Sequence, residues 1–198
     1  MKILIATNNK HKVNEIREIL GSGRFELVTL SDLNISEEVE EDKDTLEGNA
    51  LKKAEEMYRI AKVPAIADDT GLFVDALDGE PGVYSSRYAG ENATYDDNCV
   101  KLLNSMKDIP EEKRTAYFKT VVCFYESEGR YKFFEGICTG RIDIKKRGEK
   151  GFGYDPLFIP DGFNKTYAEM SEEEKNSTSH RGKAFKKSGE FIRKKFFD

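Results

Sequence analysis

The sequence predicts an α/β fold: a single mixed domain with an elongated, partly antiparallel sheet flanked by helices and a cleft between two lobes. Three patterns carry that expectation. The chain opens as a short apolar run, a polar turn and a segment of helical period. Residues 115–126 and 130–139 alternate on either side of Glu126-Ser127-Glu128-Gly129, which reads as a long hairpin. Amphipathic helical segments lie on both sides of that hairpin, so strands and helices interleave along the chain.

Each element has its own local reason. Residues 2–6 (KILIA) are apolar and bounded by polar residues, as in a buried strand. Val13, Ile16, Ile19 and Leu20 recur at helical spacing, and Gly21 stops that helix. A second strand is expected at 25–29. Thr45 is a candidate N-cap for a helix whose apolar face is Ala50, Ala54, Met57 and Ala61, with Pro64 ending the segment. Residues 64–67 and 72–77 read as two strands around a turn, Asp68-Asp69-Thr70-Gly71. The glycines and proline of 78–93 predict a long loop. Thr94 and Asp97 form a capping-box pattern for a helix reaching Met106. Residues 147–156 are a Gly-rich loop, and 182–197 place Ala184, Phe185, Phe191, Ile192 and Phe196 on one helical face.

Composition bounds the function. The 198 residues fit one domain, 1–198, with no linker or internal repeat. No apolar run approaches the roughly 20 residues of a membrane span, and the first residues do not read as a signal peptide. Three widely spaced Cys residues are neither a disulfide framework nor a zinc site, so a reducing, cytoplasmic compartment is expected. The net charge of −5 argues against nucleic acid as a general partner. That average hides segregation, because residues 181–198 carry seven basic and two acidic side chains.

Five segments could carry chemistry. Thr7, Asn8, Asn9, Lys10, His11 and Lys12 stand between a strand and a helix. There the free N–H groups and positive dipole end can cradle phosphate, or Thr7 or Asn9 can simply cap the helix. Asp68 and Asp69 after an apolar strand suit Mg²⁺ in phosphate chemistry, with only one of them facing a ligand; the other reading is an Asp-rich turn. The acidic run 37–44 is either solvated surface or, through Glu40 or Glu41, a second source of metal ligands. In Gly151-Phe152-Gly153-Tyr154-Asp155-Pro156, Phe152 could stack on a base and Asp155 accept from a ring N–H, or the segment is a tight turn with Phe152 in the core. Lys175, His180 and Arg181 offer donors to a phosphate or a carbonyl.

The order of these motifs is more specific than any one of them. A-T-x-N-x-x-K is followed by an acidic stretch, N-A-x-x-K-A, A-D-D-T-G-L, P-G-V-Y-S-S-R-Y-A-G, G-F-G-Y-D-P-L-F and E-E-K-N-x-x-S-H-R. From residue 3 to about 184 the chain resembles the inosine triphosphate pyrophosphatase family. The resemblance implies hydrolysis of inosine, deoxyinosine and xanthosine triphosphates to the monophosphate and pyrophosphate, Mg²⁺ as cofactor, and a homodimer. It implies triphosphate binding by Thr7, Asn9, Lys12 and Lys53, and Asp69 as the catalytic, metal-binding carboxylate aided by Glu40 or Glu41. It further implies Asp68 in support, substrate contact by Thr70, base and sugar binding by Phe152, Gly153, Tyr154 and Asp155, and base reading by Lys175, His180 and Arg181. One departure is Asn8, which stands where many bacterial relatives have Gly; Asn tolerates a left-handed backbone better than most residues. Competing readings are a Maf-like pyrophosphatase for modified pyrimidine triphosphates and a nucleotide-binding module without turnover.

Overall fold

The computed structural model describes residues 1–21 and 24–197. Among them, strands β1 (Lys2–Ile5), β2 (Glu26–Thr29), β3 (Ala65–Val74), β4 (Pro81–Gly82), β5 (Thr115–Ser127), β6 (Arg130–Ile142) and β7 (Phe158–Pro160) form one mixed sheet. Its order is β2-β1-β3-β5-β6-β7, with β4 paired to β3. The helices are α1 (Lys10–Leu20), α2 (Leu46–Ala61), α3 (Tyr95–Ser105), α4 (Glu172–Thr178) and α5 (His180–Phe196). The chain divides into two compact units: Met1–Asp69, Thr120–Gly136 and Arg181–Asp198 in one, Thr70–Lys119 and Ile137–His180 in the other.

In the first unit, β1 runs parallel to β2 with Ile3 opposite Leu27, and parallel to β3 with Ile5 opposite Ile66. Both faces of β1 are covered, so Ile3, Leu4 and Ile5 are fully buried and the run lacks polar alternation. α1 packs Ile16 and Leu20 into a core with Ile66, Phe124 and Phe185. It begins at Asn9, whose Oδ1 accepts from the N–H groups of His11 and Lys12, and ends at Gly21 with φ +64°. α2 begins at Thr45, whose hydroxyl accepts from Gly48 N at 3.0 Å.

The second unit has its own core, in which Leu72, Leu102, Met106, Phe118, Phe158 and Tyr167 are prominent. β4 pairs antiparallel with β3, Leu72 opposite Gly82, and β7 antiparallel with β6, Gly140 opposite Pro160. α3 opens with the Thr94–Asp97 capping box, and α4 with one formed by Ser171 and Glu174. Arg114 is buried here, and it donates to the carbonyls of Met106, Ile142 and Asp143 at 2.7–2.9 Å. Those bonds tie the end of α3 to the end of β6.

Four expectations need correction. Asp68-Asp69-Thr70-Gly71 is not a turn: it lies inside the ten-residue strand β3. Turn-forming composition is overridden because β3 is paired with β1, β4 and β5, pairing that is not local in sequence. Gly71 serves close approach, since a Cβ there would lie 2.6 Å from the Gly82 carbonyl oxygen across the β3–β4 pair. The 78–93 loop contains the short strand β4, and β6 runs three residues past the expected end. α5 starts at His180, so His180 and Arg181 occupy its first turn, while Lys175 sits on α4.

Candidate functional site

In the first unit a charged cluster forms where α1, α2, α5 and the 41–45 segment meet β3. Strand alternation sends the two adjacent carboxylates to different partners. Asp68, 2% exposed, lies 3.1 Å from Lys12 Nζ and 3.5 Å from Arg181 Nε. Asp69 accepts from Asn49 Nδ2 at 3.0 Å and lies 3.7 Å from Lys53 Nζ. Lys53 donates to Glu41 Oε1 and to the backbone oxygen of Asp68, each at 2.6 Å. Arg181 donates to Glu15 Oε2 at 2.8 Å.

These contacts separate the carboxyl groups chemically. Burial alone would raise Asp68, but Lys12, Arg181 and Lys53 outweigh it and hold the carboxyl well below its usual range. Glu41 is also held low, burial being outweighed by Lys53. Asp69 goes the other way. Burial pushes it up and Glu41 adds to that, against Lys53, Lys12 and the Asn49 hydrogen bond. Lys53 stays cationic, because Asp69, Glu41 and Asp68 outweigh its burial. Of the two adjacent strand carboxylates, Asp69 is therefore the more basic.

The entrance to α1 is equally ordered. Thr7 Oγ1 accepts from Asn9 N at 3.2 Å, and Asn9 caps the helix. No acidic residue occupies the first turn, so the helix end keeps its preference for an anion. Asn8, Lys10 and His11 are exposed, and Lys12 turns inward to Asp68. Asn8 has no positive φ, so the Gly-to-Asn departure asks for no left-handed backbone.

The second unit builds a separate cluster on the 151–155 turn. Asp155, 4% exposed, accepts from Phe152 N at 2.8 Å and from Lys175 Nζ at 2.7 Å. Lys175 Nζ stands 5.0 Å from the Phe152 ring centroid, a cation–π distance. Gly151 has φ +74°, and a Cβ there would fall 2.0 Å from Asp155 Oδ2, so only glycine fits. Gly153 O accepts from Cys99 Sγ at 3.3 Å. Phe152 is half-buried, Tyr154 is buried with its hydroxyl donated to Ser85 O at 2.9 Å, and Thr70 is half-buried. His180 stacks on Phe118 with centroids 4.4 Å apart.

The structure thus groups Lys12, Lys53, Asp68, Asp69, Glu41 and Arg181 in one unit, and Phe152, Gly153, Asp155 and Lys175 in the other. Glu40 is exposed, and Glu41 is the residue turned to Lys53. Arg181 pairs with Glu15 and with Asp68 in the first unit. Sequence reasoning misses Asn49 and Glu15. Asn49 leaves a signal in the sequence only as the first residue of N-A-x-x-K-A, since its burial shows in the structure alone.

The donor set suits a hard divalent cation. Mg²⁺ is bound through one or two carboxylates together with substrate phosphates. Glu41 and Asp69 are close enough to influence each other's ionisation. Among the described residues no group of three or more His, Cys, Asp or Glu forms a metal cage.

The fold and these two clusters define a mixed α/β protein with a lysine-flanked carboxylate centre and a separate aromatic turn. Residues 3–191 match the Ham1 family, and the chain belongs to that family. It is 49% identical over 195 residues to a Thermoanaerobacter protein named dITP/XTP pyrophosphatase, covering 98% of each chain. An Elusimicrobium minutum protein of the same name is 51% identical, with 94% of this chain and 97% of that one covered. The Ham1 protein structure from Staphylococcus aureus superposes with a TM-score of 0.86 at 39% identity, covering 98% of this chain and 99% of that one.

Proposed function

We propose that this chain hydrolyses deoxyinosine, inosine and xanthosine triphosphates to the nucleoside monophosphate and pyrophosphate, cleansing the nucleotide pool. The observation that carries the proposal is the Asp69 centre: a buried carboxylate that Asn49 holds at 3.0 Å and burial pushes up, 3.7 Å from a Lys53 that also holds Glu41. The names of the relatives support the substrate class. The family resemblance supports a homodimer, and the three widely spaced cysteines support a reducing, cytoplasmic compartment.

In this reading Glu41 and Asp69 would hold Mg²⁺, which supplies charge neutralisation at phosphate oxygens and a more acidic water. Asp69 takes a proton from the attacking water. The water oxygen bonds to the α-phosphorus, the bond from that phosphorus to the bridging oxygen breaks, and pyrophosphate leaves with the electron pair. Lys53, Lys12 and the N-terminal end of α1, residues 7–12, neutralise the phosphates, and phosphoryl transfer depends above all on such charge stabilisation. Asp68 keeps Lys12 and Arg181 in place.

Phe152 is assigned to stack on the base, with Lys175 held beside it by Asp155. Thr70, Gly153, Tyr154 and His180 complete the substrate assignments. Hypoxanthine and xanthine carry a carbonyl at C6, whereas adenine presents an amino donor. A donor built for that carbonyl is left unpaired against adenine, a mismatch worth about 10⁴–10⁵ in discrimination.

The test is a panel of nucleoside triphosphates with Mg²⁺, assayed for pyrophosphate and for phosphate. Pyrophosphate from the inosine and xanthosine substrates, with ATP and GTP poor, is the expected result. Phosphate release, or preference for methylated pyrimidines, contradicts it.

A further inference from the structure

Asn49 lies in the first turn of α2 and is fully buried. Its Oδ1 accepts from Lys43 N at 3.0 Å, and its Nδ2 donates to Lys43 O at 3.3 Å and to Asp69 Oδ2 at 3.0 Å. One amide therefore closes a two-bond pair with the backbone of residue 43, as a strand neighbour would, and spends its other N–H on Asp69.

Lys43 follows Glu41 by two residues, and the Glu41 side chain is held by Lys53, one turn beyond Asn49 on the same helix face. Gly48 lets the segment come this close, since a Cβ there would lie 2.8 Å from Lys43 Cβ. The Thr45 cap closes the same turn. α2 thus grips the segment twice: Asn49 through its backbone and Lys53 through the Glu41 carboxylate.

We infer that Asn49 is a positioning residue which locks the 41–43 segment to α2 and so sets Glu41 and Asp69 at a fixed separation for a divalent cation. The inference rests on the metal-binding reading proposed above. An amide suits the task because it offers donor and acceptor together and adds no charge between the two carboxylates. A side chain that only filled space would need neither Lys43 bond.

The experiment titrates Mn²⁺ alone into the whole chain by calorimetry, for the wild type, Asn49→Ala, Lys43→Pro and Lys43→Ala. It is paired with hydrogen exchange at the residue-43 amide and with kcat and KM for dITP. Lys43→Pro removes the N–H from which Asn49 accepts, at an exposed residue; Lys43→Ala keeps the backbone and removes the side chain. Asn49→Ala and Lys43→Pro are expected to weaken Mn²⁺ binding about 10–100-fold, lowering kcat more than they change KM. Lys43→Ala stays at the wild-type value. The amide is protected in the wild type and exposed in Asn49→Ala. If Asn49→Ala does not fold, Lys43→Pro decides. Wild-type Mn²⁺ affinity in a folded Lys43→Pro protein, or equal weakening in Lys43→Ala, overturns the inference while leaving the metal reading intact. A wild-type chain that takes up no Mn²⁺ overturns the metal reading and the inference with it.

Discussion

Lys12 Nζ stands 3.1 Å from Asp68 Oδ2, a buried ion pair that ties the first turn of α1 to the middle of β3. Arg181, 3.5 Å away, brings α5 to the same oxygen. Three elements far apart in sequence meet on one carboxylate. Asp68→Asn leaves both cations short of a partner, although Arg181 keeps Glu15. The expected cost is about 1–3 kcal/mol of stability, between an exposed pair and a fully buried one, because Lys12 is only partly buried and Arg181 keeps Glu15. Urea unfolding measures it, and a loss of less than about 1 kcal/mol, the range of an exposed pair, would show that the pair is dispensable.

Lys53 touches Glu41, the Asp68 backbone and Asp69 at once. Lys53→Met keeps most of the stem and removes the charge. It should lower kcat for dITP by about 10²–10³-fold, the range for losing one stabilising donor in a transition state. Steady-state rates with dITP check it.

How much of this is legible in the sequence depends on how local the cause is. α1 and α2 are readable because caps and periodicity lie within each segment, Asn9 and Thr45 included. The Asp68-Asp69 segment reads as a turn because the partners of the extended strand are distant in sequence: β1 and β5 pair with β3, and Lys12, Lys53 and Arg181 come to its carboxylates. An acidic run lacking register does not distinguish Glu40 from Glu41; in the structure it is Glu41 that accepts from Lys53, a residue on another element. Arg181 illustrates the same limit, since its partner Glu15 lies 166 residues away. β7 and α4, three and seven residues long, are too short for periodicity to show.

Phe152 is the aromatic surface assigned to the base, with Lys175 beside it. Phe152→Ala should raise KM for dITP about 10–100-fold, from the roughly 1–3 kcal/mol of base–aromatic stacking, with a smaller change in kcat. Phe152→Tyr should stay within a few-fold of wild type. Equal kcat losses in both variants would contradict a stacking role.

Two buried thiols give a pH signature of stability. Burial pushes Cys99 up to about 11 and Cys123, with Glu55 adding, up to about 12, from an ordinary value of 9.0. The unfolded chain releases these protons above about pH 9, and the folded chain does not. Their contribution is therefore complete below about pH 9 and declines between about pH 9 and 11–12, by about 1.4 kcal/mol per thiol per pH unit. Denaturant unfolding from about pH 8 to about pH 10.5 should show a steeper decline for wild type than for the Cys99→Ala/Cys123→Ala double variant. Equal slopes would refute it.

The central claim is that Asp69 turns a bound triphosphate over to pyrophosphate. The most direct measurement is pyrophosphate release from dITP by wild type and by Asp69→Asn, with dITP binding measured on both. Asn preserves the acceptor for Asn49 Nδ2 and removes the charge and the proton acceptor. The predicted result is pyrophosphate from the wild type, and in the variant a loss of turnover with binding largely retained. Near-normal turnover in Asp69→Asn would contradict it.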